Sequence, residues 1–411
     1  MAGLKKREVM VIVLLLSFIL VLPAWAAESI KIALFEPLSG PFKRSGDSYV
    51  KGVEFLAEEI NEKGGLLGRK VEVIAEDSQL KPDVAVRKAQ KHILDGVKII
   101  CNGTGTHIAL ALQQFAAKEK ILSITYGGEG VDITGKSCSP YTFRVQPNSE
   151  MRSLALANFL VSKSFRKFAI INQDYAYGHD AGDGFKRRVK QIIPDAQIVA
   201  EEYHPTATKD FGPFISKVVA AKPELIFSAN WGVDLVNLMK QARDMGVKTP
   251  FMSYNLHDPS QVLPVIKEDA IGSFTIGSYM ETVDSALNKD LLQRWSKKPK
   301  YVEFEKWPAF SIGQSYNGMR FALEAIRKAG KFDVPTIIKA WEGMRVEGLA
   351  GPMIMRSEDH QTLMPVVVAE IVPTTNEFFP FPYVGKPFIL PVEKTTVPLQ
   401  ETGCSRKKGQ L

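Results

Sequence analysis

The residues with the clearest chemical potential are glycines and hydroxyl side chains that could hold an anion. Gly130, Gly135, Lys136 and Ser137 match the spacing of a phosphate-binding loop. Such a loop binds phosphate only where its Lys and Ser open a helix. Residues 138–140 are Cys-Ser-Pro and an extended stretch comes after them, so no helix is expected to begin there. The sequence therefore predicts a turn here and not a nucleotide site.

A second candidate consists of Thr104, Gly105 and Thr106, between the end of a predicted strand and the start of a predicted helix. Free backbone N–H groups at a helix start and Thr hydroxyls can bind a carboxylate, and the helix dipole favours negative charge. Thr106 could also simply cap the helix, and one residue can do both. We predict a carboxylate-binding loop at this position.

A third candidate, Gly127, Gly128 and Glu129, comes after the next predicted strand. The glycines allow the backbone to approach a ligand closely. Glu129 could face a cationic amine, although an acidic loop residue can equally be solvated. Both interpretations of Glu129 stay open at this point.

Patterns for metal binding or catalysis are missing from the sequence. The six His residues have no metal-ligand spacing, and three separate Cys residues make no zinc pattern. There is no Gly-x-Ser-x-Gly nucleophile motif. Neighbouring acids such as Glu58 and Glu59 point apart on a helix. We expect no metal, no cofactor and no catalytic residues.

The elements that must position these residues alternate between short apolar runs and amphipathic segments. The helical segments are long enough to cross back over a sheet, which implies parallel strand pairing. The pattern restarts near residue 149, so we predict an α/β fold with two similar halves. Parallel sheets place ligand sites at the carboxyl ends of their strands. The predicted strands are Ile30–Phe35, Lys70–Ala75, Val97–Cys101, Ile121–Thr125, Lys167–Asn172, Gln197–Tyr203, Leu225–Ala229, Pro250–Ser253, Met353–Met355 and Val366–Ile371. Among the helices, Pro82–Leu94 is predicted from Pro82 in its first turn and Gly96 after its end.

The N-terminus has the three parts of a secretory signal peptide. Three basic residues precede an apolar run over residues 9–22, and Ala24 and Ala26 form a cleavage site. We expect cleavage after Ala26, a soluble mature protein and two domains in the remaining chain. Loss of three basic residues and one acidic residue lowers the net charge from +7 to +5. This near balance argues against a nucleic-acid-binding surface.

The sequence resembles the leucine/isoleucine/valine-type (branched-chain amino acid) periplasmic binding proteins of ABC transporters. The opening segment, residues 30–41, carries the most specific part of the resemblance. The other matching positions are Gly46, Asp47, Gly52, residues 60–65, Gly68, Asp77, Pro82, Tyr177, Gly178, Phe211, residues 241–243, Gly246, residues 316–318, Gly351 and Pro352.

The resemblance implies a type I periplasmic binding fold. Two Rossmann-like lobes with parallel sheets are joined by a hinge that the chain crosses three times, and they close over the ligand. The implied division is a signal peptide at 1–26, lobe 1 at 28–145 plus 277–352, lobe 2 at 146–276 plus 353–385, and a C-terminal tail at 386–411.

The resemblance also implies ligand-binding positions on both lobes. The loops at 104–106 and 127–129 belong to lobe 1, together with Ser45. On lobe 2 the matching positions are Tyr177, Asn230, Trp231 and Asn255. Family members that bind α-amino acids typically have an acid at the position of Asn255, a small hydroxyl residue at Glu129 and often an aromatic residue at Ser45.

As function, the resemblance implies the periplasmic solute-binding component of an ABC transporter. The expected partners are a small-molecule ligand, an amino acid (branched-chain or related), and an inner-membrane ABC permease. No nucleic-acid partner is expected, and the protein is expected to be monomeric. Three alternatives stay open: the same role with an aromatic acid, amide, urea or polyamine; a sensory ligand-binding module; and an extracellular enzyme.

Three Cys residues permit one disulfide in an oxidising compartment. We expect Cys101 to pair with Cys138, because both fall in the first lobe.

Overall fold

The computed structural model describes residues 28–373, 379–406 and 409. The predicted signal peptide, residues 1–26, lies outside the described residues. Two parallel sheets dominate the architecture, as the alternating pattern predicts. Each sheet carries helices between its strands, and each has its own buried core.

The first sheet has five strands in the order β2-β1-β3-β4-β5, and all its pairs are parallel. Helix α2 illustrates how the sequence sets an element, since Pro82 occupies its first turn and Gly96 lies just past its end with φ of 82°. The elements are β1 (Ile30–Glu36), α1 (Lys43–Glu62), β2 (Val71–Asp77), α2 (Pro82–Leu94), β3 (Ile99–Asn102), α3 (Thr106–Glu119), β4 (Leu122–Thr125) and β5 (Thr142–Arg144).

The segment with the phosphate-loop spacing forms a short 3₁₀ turn at Val131–Ile133, continued by turns through Ser137. No helix begins directly after Ser137, as predicted. Gly130 donates its N–H to Thr106 Oγ1 over 3.1 Å, and a Cβ at Gly130 would overlap the Thr106 side chain. This glycine therefore serves close packing against the start of α3.

The second sheet begins after helix α4 (Ser149–Leu160), whose first turn is capped by the Asn148 side chain accepting from Met151 N at 2.8 Å. Its parallel strands run in the order β7-β6-β8-β9-β10. The elements are β6 (Lys167–Gln173), α5 (Ala176–Ile192), β7 (Gln197–His204), α6 (Gly212–Ala220), β8 (Leu225–Ser228), α7 (Gly232–Asp244), β9 (Phe251–Ser253), α8 (Leu263–Ile266) and β10 (Phe274–Gly277).

The remaining chain contributes to both halves. Its helices pack on the first sheet's side, where α11 lies so close to α1 that a Cβ at Gly52 would overlap Ile312 O and Ser315 Oγ. Three short strands, β11 to β13, form a separate antiparallel sheet. The elements are α9 (Ala286–Ser296), α10 (Pro299–Phe304), α11 (Ser311–Ala329), α12 (Val334–Trp341), β11 (Arg345–Gly348), β12 (Gly351–Met355) and β13 (Thr362–Leu363).

The chain then returns to the second sheet. Strand β14 (Val366–Val372) pairs antiparallel with β10, and β15 (Tyr383–Val384) and β16 (Phe388–Leu390) both pair with β14. The start of the expected tail therefore lies in the second sheet. The division into lobes at 145/146, 276/277 and 352/353 stays a prediction.

The predicted disulfide is wrong. Cys138 is bonded to Cys404, and Cys101 is a free, buried thiol. Cys101 lies on the central strand β3 and points into the core, with its Sγ 3.8 Å from Met319 Sδ. Cys138 lies in a loop, where the C-terminal segment reaches it. Burial raises the pKa of the Cys101 thiol, which opposes its ionisation.

Residues 388–406, which we name the C-terminal strap, connect the two halves a further time. The strap leaves the second sheet at β16 and passes α5, where Glu401 forms an ion pair with Arg188. It then reaches Cys138 through Cys404. Arg406 finally contacts Glu342, after the end of α12, with Nη2–Oε1 at 3.2 Å.

Candidate functional site

The carboxyl ends of both parallel sheets face one cleft between the lobes. The empty volume of the cleft, counted together with space that is open to solvent, is about 480 Å³. Loops after β3 and β4 form one wall, and loops after β6, β8 and β9 form the opposite wall. This is the location that the rule for parallel sheets predicts.

The start of α3 provides donors for an anion. Gly105 is the residue before the first helical turn and has φ of 86°, a conformation that favours glycine. The first N–H groups of a helix have no partner within the helix. In α3 these groups belong to residues near Gly105 and Thr106, at the end of the helix that faces the cleft. Thr106 Oγ1 accepts from Gly130 N, and its O–H remains able to donate.

Glu36, at the end of β1, accepts hydrogen bonds from the donors beneath this loop. Its carboxylate accepts from Gly103 N at 2.5 Å, Thr104 N at 3.1 Å and Tyr126 O–H at 2.9 Å, and also from the Thr104 hydroxyl. Burial raises the pKa of Glu36 to about 7 in spite of these donors. Thr104 therefore lines the cleft while its N–H and O–H both serve Glu36.

Glu129 lies on the cleft wall after β4 and is 6% exposed. Its Oε1 forms an ion pair with Arg152 Nη2 at 2.6 Å. Burial raises the pKa of Glu129, while Arg152, then Arg144 and the Tyr177 hydroxyl oppose that rise. Among the residues that the structure describes, no donor is in hydrogen-bonding geometry with Oε2.

Aromatic side chains cover much of the remaining wall. Trp231 donates its Nε1–H to the Tyr175 hydroxyl at 3.1 Å and packs on Phe42 with a ring-centroid distance of 4.2 Å. Such rings supply large apolar contact area at low conformational cost, which suits an apolar ligand body. The aromatic residues that line the cleft are Tyr49, Tyr175, Tyr177, Trp231 and Phe310.

Asn255 comes shortly after β9, at the carboxyl end of the second sheet, and also lines the cleft. Its Nδ2 donates to Ala229 O at 3.3 Å and to Asn230 O at 3.1 Å. Because its amide N–H group is engaged by the protein, its oxygen is the atom available to a ligand.

The structure brings nine of the eleven predicted ligand-binding residues to the cleft wall. Two do not line it. Gly128 turns its N–H to Thr125 Oγ1 at 2.9 Å, and the Asn230 side chain contacts His204 with Nδ2–Nε2 at 2.8 Å. The nine that line it are Ser45, Thr104, Gly105, Thr106, Gly127, Glu129, Tyr177, Trp231 and Asn255.

Six further lining residues were not predicted: Gly103, Tyr49, Tyr175, Gly232, Phe310 and Ser311. Two of them had a local signal. Tyr49 is four residues after Ser45 on α1, and these positions share a helix face. Tyr175 is two residues before Tyr177 and lies directly before the first residue of α5. Phe310 and Ser311 come from the distant start of α11, and no local pattern places them here.

Contacts across the cleft show the lobes in a closed arrangement. Gln261 Nε2 donates to Ser45 Oγ at 2.9 Å, and Val131 N donates to Asp180 Oδ2 at 2.9 Å. The Phe42–Trp231 contact also bridges the cleft. Ser45 therefore helps to hold the lobes together in addition to lining the cleft.

The family model of periplasmic binding proteins matches residues 29–376. The chain belongs to this family, and its fold is that of type I periplasmic binding proteins, as the sequence resemblance implies. Among curated relatives, Leu/Ile/Val-binding protein homolog 4 of Brucella abortus (strain 2308) is 30% identical. The match covers 93% of this chain and 94% of the relative.

Solved structures agree with this assignment. The leucine-, isoleucine-, valine-, threonine- and alanine-binding protein of Brucella ovis, in a closed conformation, has a TM-score of 0.82 and 27% identity. That match covers 93% of this chain and all of the other. A solute-binding protein of an ABC transporter from Rhodopseudomonas palustris BisB5, in complex with 3,4-dihydroxybenzoic acid, has a TM-score of 0.75 and 26% identity. Its match covers 88% of this chain and 97% of that chain.

No helix within residues 28–373, 379–406 and 409 is long and apolar enough to cross a membrane. In the same part of the chain, no cluster of three or more His, Cys, Asp or Glu side chains could hold a metal ion.

Proposed function

We propose that this chain is the periplasmic solute-binding component of an ABC transporter and captures a small organic carboxylate between its closing lobes. The observation that carries the proposal is the cleft itself. It joins the N–H groups at the start of α3, a buried acceptor on Glu129 and an aromatic wall in one site. A carboxylate would bind at α3, and the ligand's apolar body would pack on the rings.

Capture requires no covalent chemistry, and the protein returns its ligand unchanged. Ligand contacts from both lobes exist only in the closed form, so binding shifts the population toward that form. An inner-membrane permease then recognises the closed shape of a monomeric binding protein. Family membership supports this role.

An amino acid, branched-chain or related, is the first candidate ligand. The curated relatives named for leucine, isoleucine and valine support it. In this interpretation the ligand's ammonium group would bind Glu129 Oε2, because Asn255 stands where an acid is typical.

An aromatic acid is the second candidate. The five rings on the cleft wall favour a flat apolar body. The solved relative that binds 3,4-dihydroxybenzoic acid supports this alternative. An amide, urea or polyamine would use the α3 donors less well, because none of these carries a carboxylate.

The test is a ligand screen by thermal unfolding of residues 27–411, refolded to remove any carried ligand. The panel contains leucine, valine, phenylalanine, benzoate, 4-hydroxybenzoate, acetamide and putrescine. A ligand at 100 times its Kd adds about 2.7 kcal/mol of stability. At about 2–4 °C per kcal/mol the melting temperature should then rise by roughly 5–11 °C.

A matched control is Trp231→Ala, which removes one ring of the cleft wall. We expect it to lose most of the ligand-induced shift while melting within a few degrees of the wild type without ligand. A shift with putrescine or acetamide, and with no carboxylate, would contradict carboxylate capture.

A further inference from the structure

Arg152 is a fully buried cation directly behind the cleft wall. Helix α4 carries it, and its Nη1 donates to Tyr254 O at 3.3 Å and Ile276 O at 3.5 Å. Both carbonyls lie at the carboxyl ends of strands in the second sheet. The guanidinium is therefore held by the second lobe before any ligand contact is considered.

Arg152 reaches the cleft wall through its ion pair with Glu129. The two side chains are 0% and 8% exposed, and their charged atoms are 2.6 Å apart. Glu129 lines the cleft and Arg152 does not. A ligand would therefore meet Glu129, whose buried Oε2 has no hydrogen-bonding partner among the described residues, but not the guanidinium.

The charge of the cleft wall is balanced without a ligand. Within the described part of the chain, Glu129 is the only residue lining the cleft whose side chain is a carboxylate or a cation. Arg152 compensates its charge, and the Arg144 guanidinium adds a second positive influence. A ligand ammonium would have to be desolvated beside a carboxylate that is already paired.

A neutral donor meets a different situation. A hydroxyl or phenol group can donate to Oε2 of Glu129 without bringing another buried charge. The open acceptor is costly to leave unpaired in a buried wall, so such a donor is favoured. The carboxylate of the same ligand would remain on the α3 donors.

We propose that Arg152 is a specificity-determining positioning residue. It holds the Glu129 carboxylate and cancels its charge, so that the cleft selects a carboxylate ligand bearing a hydroxyl or phenol donor over the matching ligand bearing an ammonium group. The inference rests on the proposed capture of carboxylates and narrows the ligand class within it.

The test compares matched ligand pairs by calorimetric titration. The pairs are 2-hydroxy-4-methylpentanoate with leucine and 3-phenyllactate with phenylalanine, and 4-hydroxybenzoate is compared with benzoate. We expect the wild type to bind the hydroxy acid at least tenfold more tightly than the amino acid in one pair or both. Arg152→Met should move that ratio at least tenfold toward the amino acid, because Glu129 is then unpaired.

Two control variants separate charge from folding. Arg152→Lys keeps the positive charge and should keep the wild-type ratio. The double variant Glu129→Gln with Arg152→Met removes both charges and should restore the preference for the hydroxy acid. A purely structural role of Arg152 would weaken all ligands equally and leave the ratio unchanged in every variant.

The proposal is overturned if the wild type binds leucine and phenylalanine at least as tightly as their hydroxy partners. That measurement decides the question even if Arg152→Met does not fold. A ratio that moves less than threefold in folded Arg152→Met also overturns it. If no carboxylate of the panel binds, the proposed capture of carboxylates is wrong, and the role of Arg152 is wrong with it. If carboxylates bind without a preference for the hydroxy acids, only the role of Arg152 is wrong.

Discussion

At the scale of single residues, the charged groups around the cleft are engaged by the protein. Glu36 takes the donors of Gly103 and Thr104, and Glu129 is paired with Arg152. Buried charges are stable only when paired or hydrogen-bonded, so these partners are what permit carboxylates at this depth. The N–H groups at the start of α3 and the Oε2 atom of Glu129, which has no partner among the described residues, remain for a ligand.

Glu36 makes stability depend on pH. Its pKa rises from 4.5 to about 7 on folding, so folding favours the protonated acid. The stabilisation is fully present below pH 4.5 and is lost as pH rises to about 7, at most about 3 kcal/mol for this group. Relative to the wild type, Glu36→Gln should therefore become progressively more stable between pH 4.5 and 7, measured by urea unfolding.

The control for this measurement is Glu370→Gln, an exposed acid on β14. Its difference curve from the wild type serves as the baseline for the curve of Glu36→Gln. The difference curve is needed because other groups titrate as well. A flat curve for Glu36→Gln would show that Glu36 is ionised in the folded protein throughout.

The residues that line the cleft could be predicted from the sequence where the end of a predicted strand is followed directly by the start of a predicted helix. Gly105 and Thr106 satisfy that rule, and the structure places both on the wall. Arg152 gave no such signal, since it lies within the largely buried helix α4 and follows no strand end. Its role depends on Glu129, Tyr254 and Ile276, which only the folded chain brings together.

At the scale of elements, a prediction succeeded where Pro and Gly residues mark the ends of the element in the sequence. Helix α2 was predicted with its observed bounds, because Pro82 and Gly96 mark both ends. Strand β10 was missed because it has only four residues, too few for its alternation of apolar and polar residues to stand out. Strand β16 was missed because its pairing with β14 joins a Pro-rich tail to a distant strand.

The contact between α1 and α11 is an element-scale constraint that one methyl group would disturb. Gly52 lets the two helices approach so closely that a Cβ would overlap Ile312 O and Ser315 Oγ. Gly52→Ala should lower the free energy of unfolding by about 1–3 kcal/mol, despite the better helix propensity of Ala. Urea titration measures this change.

Glu54→Ala on the same helix is the matched control. Glu54 is partly exposed and forms an ion pair with Lys51 on the same helix at 2.7 Å, so its loss should change stability by less than about 0.5 kcal/mol. Equal effects of the two substitutions would refute close packing at Gly52.

At the scale of the whole molecule, the C-terminal strap links both halves by contacts and by a covalent bond. The Cys138–Cys404 disulfide spans 266 residues of sequence. A cross-link over a long loop restricts the unfolded chain, and its removal typically costs about 2–5 kcal/mol. The double variant Cys138→Ser with Cys404→Ser should therefore melt at a lower temperature than the wild type.

Reductant supplies the control for this comparison. It should lower the melting temperature of the wild type to that of the double variant and leave the variant unchanged. Cys101 is buried and makes no contribution to this difference. If reductant changed the melting temperatures of the wild type and the double variant by the same amount, the result would contradict the Cys138–Cys404 bond.

The same disulfide gives the backbone the topology of a closed ring. The ring runs from Cys138 to Cys404 and contains every strand of the second sheet, so that part of the molecule has no free end. A single cut in any loop of the ring opens it without dividing the protein into two molecules. In an oxidising environment the chain can therefore be nicked once between these two cysteines and still remain one covalent molecule.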